Sequence, residues 1–330
     1  MDSLSQYALG AAVGVAVMGR RTAVWKAALV GGLCGTLPDL DALIDHGDVV
    51  RNVTFHRAES HALLYLTAAS PVVAWLASRL TRQPREFRRW WLAAWLVLMT
   101  HALLDAMTIY GTQLALPLTD YPFGVGSIFI IDPLYTLPLL IGLVATGVAR
   151  AVNRRRYNLW GLALSTLYLG WSVGGQWHVD QIAQQSLPAD LVEAPRLVTA
   201  TAFNTVLWRI VVMDPSGERY LEGFYSLLDR ERRIHFTSHA RDAALFDATQ
   251  SLWAVARIEW FTHGFFSMRE QDGIATITDL RMGQQPDYPF SYAVARADAS
   301  GWAEVTPAEA GSRGDVGEGL AWLWRRLKGQ

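Results

Sequence analysis

His56 and His61 stand five residues apart in "HRAESHALL", with Arg57 and Glu59 between them and a long apolar run directly after. His101 and Asp105 stand four apart in "THALLDAMTIYG", inside another apolar run, and "LPDLDALID" supplies Asp39 and Asp41. Four residues is about one helical turn, so His101 and Asp105 share a face. Imidazole and carboxylate together suit zinc, manganese or iron, and a catalytic zinc keeps one position open for water. Each part also has a plainer role. An isolated His–Asp pair serves as a structural hydrogen bond or a proton relay, and "PDLD" reads equally as a helix stop. Glu59 is either a general base for metal-bound water or an acidic residue in a helix's first turn. The joint set Asp39, Asp41, His56, His61, His101 and Asp105 favours the metal. His46, His235, His239 and His263 read as exposed or structural.

The elements that must position these groups are apolar. Hydrophobic residues make up 51 % of the 330-residue chain and charged ones 18 %, against about 25 % charged in a typical soluble domain. The long apolar runs lie in residues 1–178, and residues 190–330 read as an ordinary soluble domain. A bilayer core takes roughly 20 apolar residues as a helix. The candidate spans are 3–19, 23–37, 61–79, 90–109, 128–149 and 158–176, the first two short and rich in Gly and Ala. This predicts a helical polytopic membrane domain of four to six membrane helices. The first run lacks the leading positive charge of a signal peptide, so it reads as retained. The net charge of −1 gives no basic field for nucleic acid, and the single Cys34 excludes an internal disulfide.

Arginine and lysine set the orientation. Most of those in the first 176 residues fall at Arg20, Arg21 and Lys26; at Arg79, Arg82, Arg85, Arg88 and Arg89; and at Arg150, Arg154, Arg155 and Arg156. With six segments these are alternate connections, and the positive-inside rule places them in the cytoplasm. The site residues, with Asp132 and His178, then fall on the other side, a convergence that the arginines did not presuppose. Ionisable groups at membrane depth cost about 2.5–3.5 kcal/mol each on insertion scales and usually pair or bind something.

On these stretches, and on "DSLSQYALGAAVG", "GTQLALPLTDYPFGVGSIFIIDPLYTLPLL" and "FNTVLWRIVVMDPSGERYLEGFYSLLD", the chain resembles the YdjM-like membrane-bound metal-dependent hydrolases of bacterial inner membranes. The pattern HR-x-x-[ST]-H fits His56, Arg57, Ser60 and His61; PDxD fits Asp39 and Asp41; H-x-x-x-D fits His101 and Asp105. Many relatives carry a histidine where Gln6 stands here. The family's distant similarity to zinc-dependent phospholipases C and nucleases implies phosphoester chemistry.

In residues 190–330, short runs rich in β-branched and aromatic residues alternate with turn signals such as "DPSG" and "EQDG". They predict a soluble α+β domain with a mainly antiparallel sheet. "LWAVARIEWF" reads as one of its strands, "SHARDAALFDATQ" as a helix, and "VGEGLAWLWRRLKG" as a closing amphipathic helix. The domain holds no nucleophile motif or phosphate loop, and reads as a lid or a module for an envelope partner.

The expectation is a multi-pass hydrolase of the bacterial cytoplasmic membrane, with its C-terminal domain outside the cytoplasm. Asp39, Asp41, His56, His61, His101 and Asp105 would supply the ligands of a divalent metal, zinc foremost. Glu59 or a free aspartate would take the proton from water, and Arg57 would pair with an anionic head group of a lipid or lipid-linked phosphoester. Two rivals stand beside it. One is a non-catalytic scaffold whose metal staples the helices; the other is a metal or proton transporter, which would need polar residues running through to the cytoplasmic side.

Overall fold

A computed structural model describes residues 1–299 and 301–330. They form two compact units. The first comprises Met1–Leu43, Arg57–Val173 and Ala202–Asn204; the second comprises Ile44–His56, Gly174–Thr201 and Thr205–Gln330. The first seven helices, in chain order, are α1 (Ser3–Met18), α2 (Val24–Thr36), α3 (Val49–Phe55), α4 (Leu63–Leu80), α5 (Phe87–Ala106), α6 (Pro133–Val148) and α7 (Arg156–Ser186).

The helix starts follow from local chemistry. Asp2 caps α1 by accepting from the Leu4 and Ser5 amides. Asp132 caps α6 by accepting from Leu134 and Tyr135, with Pro133 at the first helical position, where no amide is needed. Tyr168 also donates its hydroxyl to Asp132 at 2.9 Å, so Asp132 is fully engaged as a cap.

The first unit has an apolar core, with Leu9, Val13, Val97 and Leu139 inside it, and carries large apolar side chains on its surface as well. Leu134, Leu137, Ile141, Val144 and Val148 form an exposed stripe on α6, as do Trp160, Leu164, Leu167 and Trp171 on α7. Asn158 and Ser165 are buried and tie helices together: Asn158 Nδ2 donates to the Ala12 carbonyl at 2.8 Å, and Ser165 Oγ to the Tyr135 carbonyl at 2.7 Å. Among the described residues, one helix is long and apolar enough to cross a bilayer, Leu63–Leu80; Pro133–Val148 is apolar but shorter. Four to six such spans are therefore not reached by length and composition. At 1.5 Å per residue α1 and α2 measure only about 24 and 20 Å, against a hydrocarbon core of roughly 30 Å. In α5, Arg88, Arg89, His101 and Asp105 dilute the apolar run.

Small residues set how closely the helices approach. A Cβ on Gly31 would lie 2.3 Å from the Gly10 carbonyl oxygen, and one on Gly35 would lie 2.6 Å from that of Gln6. Gly10, Gly14, Ala27, Gly31 and Gly35 thus form a four-residue-spaced seam that lets the backbones of α1 and α2 touch. Gly142 and Gly161 do the same for α6 and α7, with virtual Cβ distances of 2.7 Å to the Tyr157 oxygen and 2.5 Å to that of Pro138.

The second unit holds two four-stranded antiparallel meanders. The first runs β1 (Arg196–Ala200), β2 (Leu207–Met213), β3 (Arg219–Ser226) and β4 (Phe236–Ala240); the second runs β5 (Phe266–Gln271), β6 (Ile274–Asp279), β7 (Ser291–Asp298) and β8 (Gly301–Glu309). The single mainly antiparallel sheet expected from the sequence is thus two sheets. Between them in the chain lie α8 (Ala243–Thr249) and α9 (Trp253–Thr262), and α10 (Val316–Leu327) closes it. "LWAVARIEWF" is α9 rather than a strand. Its buried Ala254, Val255, Ile258, Phe261 and Thr262 recur at three- and four-residue intervals, the period of a helix. The "EQDG" signal is the β5–β6 turn, where Asp272 and Gly273 both have positive φ, 53° and 73°. The segment 44–56 packs with this unit: Val49, Val50 and Val53 of α3 join the core of Ile258, Phe266 and Ile277.

Replacing Gly31 with leucine forces a side chain into the Gly10 carbonyl and is expected to destabilise the detergent-solubilised protein by at least about 1–3 kcal/mol. Gly147→Ala, where a Cβ meets nothing within 4 Å, is expected to be neutral or stabilising. Thermal unfolding and monodispersity check both, and an unchanged Gly31→Leu profile would contradict the seam.

Candidate metal centre

Three segments of the first unit converge on one point. Asp39 lies in a 3₁₀ turn, Pro38–Leu43, directly after α2; His61 ends a second short 3₁₀ turn, Glu59–His61, directly before α4. His101 and Asp105 occupy one face of α5, one turn apart. His61, His101 and Asp105 are completely buried, and Asp39 keeps 19 % of its side chain exposed.

Their facing atoms have the separations of a small coordination polyhedron. His61 Nε2 lies 3.0 Å from His101 Nε2 and 3.1 Å from Asp105 Oδ2; His101 Nε2 lies 3.3 Å from that same oxygen. Asp39 Oδ1 lies 3.5 Å from His61 Nε2 and 3.6 Å from His101 Nε2. All four ligand atoms fall within 4.8 Å of one another. A tetrahedral zinc site with bonds of 2.0–2.1 Å has ligand–ligand edges of about 3.3 Å, in the middle of these distances.

The far side of each imidazole fixes what the near side offers. His101 Nδ1 is 2.7 Å from the carbonyl of Gly35, which can only accept, so Nδ1 carries the proton and Nε2 presents a lone pair. Ser60 Oγ donates to Asp41 and lies 2.8 Å from His61 Nδ1, so it accepts from that nitrogen and leaves His61 Nε2 as a second lone pair. Two imidazole lone pairs and two carboxylate oxygens then meet at one place. A cation, or protons standing in for one, must lie among them to offset the repulsion. In the protonated alternative, burial raises the Asp39 carboxyl, but the bond from His61 and the positive His101 outweigh it and hold Asp39 below the usual carboxylate range.

Asp105 is braced from behind. Its Oδ2 faces the histidines, while its Oδ1 receives Gln6 Nε2 at 3.0 Å and lies 3.4 Å from Arg57 Nη2, with the Met1 nitrogen against the same atom. Arg57 is itself buried, with its backbone in the left-handed region (φ 64°). Its amide donates to Asp41 at 2.9 Å, its Nη1 to Thr108 Oγ1 at 3.3 Å, and its guanidinium lies 4.9 Å from the Tyr110 ring centre.

Of the residues named from sequence, Asp39, His61, His101 and Asp105 thus come together. Asp41, two residues from Asp39 in the same 3₁₀ turn, is not one of the four facing residues; it reaches Ser60 and comes within 3.6 Å of His61 Nδ1, so it orients the ligand from the other side of the ring. His56 terminates α3 and belongs to the other unit. Glu59 is exposed, and among the described residues no hydrogen bond joins its side chain to the cluster. Arg57 braces Asp105. Sequence reasoning missed the support given by Gln6 and Gly35. In sequence Gln6 stands out only as a departure from the family pattern, and Gly35 acts through a carbonyl that no side chain advertises. The α1–α2 glycine spacing was the signal that leads to it.

The model of a family described as YdjM inner membrane protein matches residues 1–179. No curated protein and no solved structure matches the chain.

Asp105→Asn is expected to abolish stoichiometric zinc binding by the purified protein. Ser60→Ala removes the acceptor that orients His61 and is expected to weaken binding roughly 10–100-fold, read by competition with a chromogenic chelator. Wild-type affinity in Ser60→Ala would show that His61 needs no such anchor.

Proposed function

This chain belongs to the YdjM inner membrane protein family, and from that membership and the four converging ligands we propose that it is a membrane-embedded metal-dependent hydrolase acting on a phosphoester of a lipid or lipid-linked substrate. The observation that carries the reading is the set of four acceptor atoms within 4.8 Å of one another, with both outer imidazole nitrogens anchored. Two imidazoles and two carboxylates suit zinc, with manganese or iron also compatible. A bound zinc ion supplies a water of lowered pKa and polarises a phosphoryl or acyl oxygen.

The protein's own groups divide the remaining work. Asp39, the one partly exposed member of the set, faces the direction from which substrate arrives. Glu59, exposed on the turn that ends in His61, is positioned to exchange protons with solvent as general base. Arg57, with its guanidinium 3.4 Å from Asp105 Oδ1, orients that ligand rather than pairing with a substrate head group. The exposed apolar stripes on α6 and α7 match a protein bathed in lipid, and a lipid substrate explains why such a site belongs in a membrane. In this reading the arginine-rich connections are cytoplasmic, and the site and C-terminal domain face the other side.

One observation favours a second reading. Four protein ligands already complete a tetrahedron, the arrangement of structural zinc sites. In that case the metal staples the end of α2, the start of α4 and the face of α5, and catalyses nothing.

Phospholipid hydrolysis by the detergent-purified protein, followed by mass spectrometry of products, separates the two. The hydrolase reading expects activity that chelation and His61→Ala each reduce to background, and that Glu59→Gln lowers by about 10²-fold or more in folded protein. Activity that survives both chelation and His61→Ala would refute it. Metal loss that lowers the melting temperature, with no hydrolysis in any sample, would establish the staple.

A further inference from the structure

The arginines read above as topology signals do something the positive-inside rule does not require: part of them line a cavity. Arg20, in the 3₁₀ turn Gly19–Arg21 after α1, faces Arg154, Arg155 and Arg156 of the α6–α7 connection across a space of about 430 Å³, with Val152, Asn153 and Leu159 completing its wall. That volume lies within the range of small-ligand sites, roughly 300–1,000 Å³. None of the four guanidinium groups forms an ion pair among the described residues. The other basic connection differs, because Glu86 lies 3.6 Å from Arg21 and 3.8 Å from Arg89 and offsets their charge.

Two of the four side chains are held in place. Arg154 and Arg155 are half-buried; Arg154 Nη1 donates to the Gly147 carbonyl and Arg155 Nη2 to that of Thr22, both at 3.4 Å. The Arg154 backbone is pinned as well, its carbonyl accepting from Thr146 Oγ1 at 3.2 Å. Burial, then the charges of Arg20 and Arg154, make the Arg155 cation less favourable than usual, as expected for a cluster without a counter-ion. The wall is also part apolar. Val152 and Leu159 are exposed, and Val148, the last residue of the exposed α6 stripe, lies four residues before Val152.

We propose that this cavity is a binding site for a phosphate-bearing anion, best suited to the head group of an anionic phospholipid whose acyl chains lie along the exposed α6 stripe. Four arginines lining one space supply guanidinium groups that match phosphate oxygens, which accept paired N–H bonds. The adjoining apolar wall fits an amphiphile better than a free ion, and basic pockets beside membrane helices are where lipid head groups are held. The site is separate from the metal centre: Gln6 and Arg20 are 14 positions apart along α1 and the turn after it, about 21 Å at helical rise. It does not rest on the hydrolase reading.

The test is thermal stability and native mass spectrometry of the full-length protein in micelles doped with phosphatidylglycerol, phosphatidylcholine or neither, and separately with inorganic phosphate. Arg20→Gln, at an exposed position, is one variant, and Arg154→Gln with Arg155→Gln is another. Arg85→Gln, in the other basic connection, serves as the control for general surface charge. The lipid site predicts stabilisation and retention of phosphatidylglycerol over phosphatidylcholine, weakened roughly five-fold per arginine removed and unchanged in Arg85→Gln. Stabilisation by inorganic phosphate alone, lost in the same variants, keeps the anion site but makes its ligand soluble. Equal response to all additives, or an equal loss in Arg85→Gln, would overturn the proposal.

Discussion

Four electron-donating atoms crowded into one buried spot are the constraint on which the first unit depends. Two imidazole nitrogens and two carboxylate oxygens within 4.8 Å of one another, each imidazole nitrogen 3.0–3.6 Å from the other three atoms, repel unless something positive lies among them. Their burial makes the demand sharper, since a low-dielectric surrounding strengthens the repulsion. Whatever satisfies it also joins the 3₁₀ turn after α2, the turn before α4 and the C-terminal end of α5. These segments are distant in the chain, so the cluster acts as a cross-link as well as a site.

The surrounding packing is arranged to hold that crowd still. Gly35 belongs to the seam that lets α1 and α2 touch, and its carbonyl fixes the His101 tautomer. Gln6, across the same seam, reaches Asp105. The close approach of two short helices therefore carries straight into the orientation of two ligands. Outward, the same unit shows apolar stripes, and inward it buries Asn158, Ser165 and Asp132 in hydrogen bonds. An apolar surface around a core that also holds hydrogen-bonded polar groups is the pattern expected where the surrounding solvent is hydrocarbon and helix contact relies on close packing and polar bonds.

The second unit has the conventional arrangement. Two antiparallel meanders carry apolar residues inward, and buried Arg209 is satisfied by Glu222 at 2.7 Å and by the Leu280 carbonyl at 2.7 Å. It offers scaffolding and surface, with the α3 segment drawn into its core.

Much of this was legible in the chain. The four-residue spacing of His101 and Asp105, the PDLD turn and the family-like motifs are local signals, and local spacing dictates which face of a helix or strand a side chain occupies; the division into units is not, since it falls at Val173/Gly174 inside α7 and gives 44–56 to the second unit. Other features were decided only in three dimensions. Asp39 and Asp41 look equivalent in sequence, yet one meets His61 at Nε2, inside the cluster, and the other at its Nδ1 side, where it accepts from Ser60. His56 and His61 share a motif, but the chain between them crosses from one unit to the other. "LWAVARIEWF" suits a strand by composition and forms a helix because its buried residues follow the helical period. The sequence by itself determined which residue types and local faces were available. Tertiary structure decided which of them meet, because convergence depends on how closely helix backbones approach and where turns send each side chain, and neither is written in the spacing of the ligands themselves.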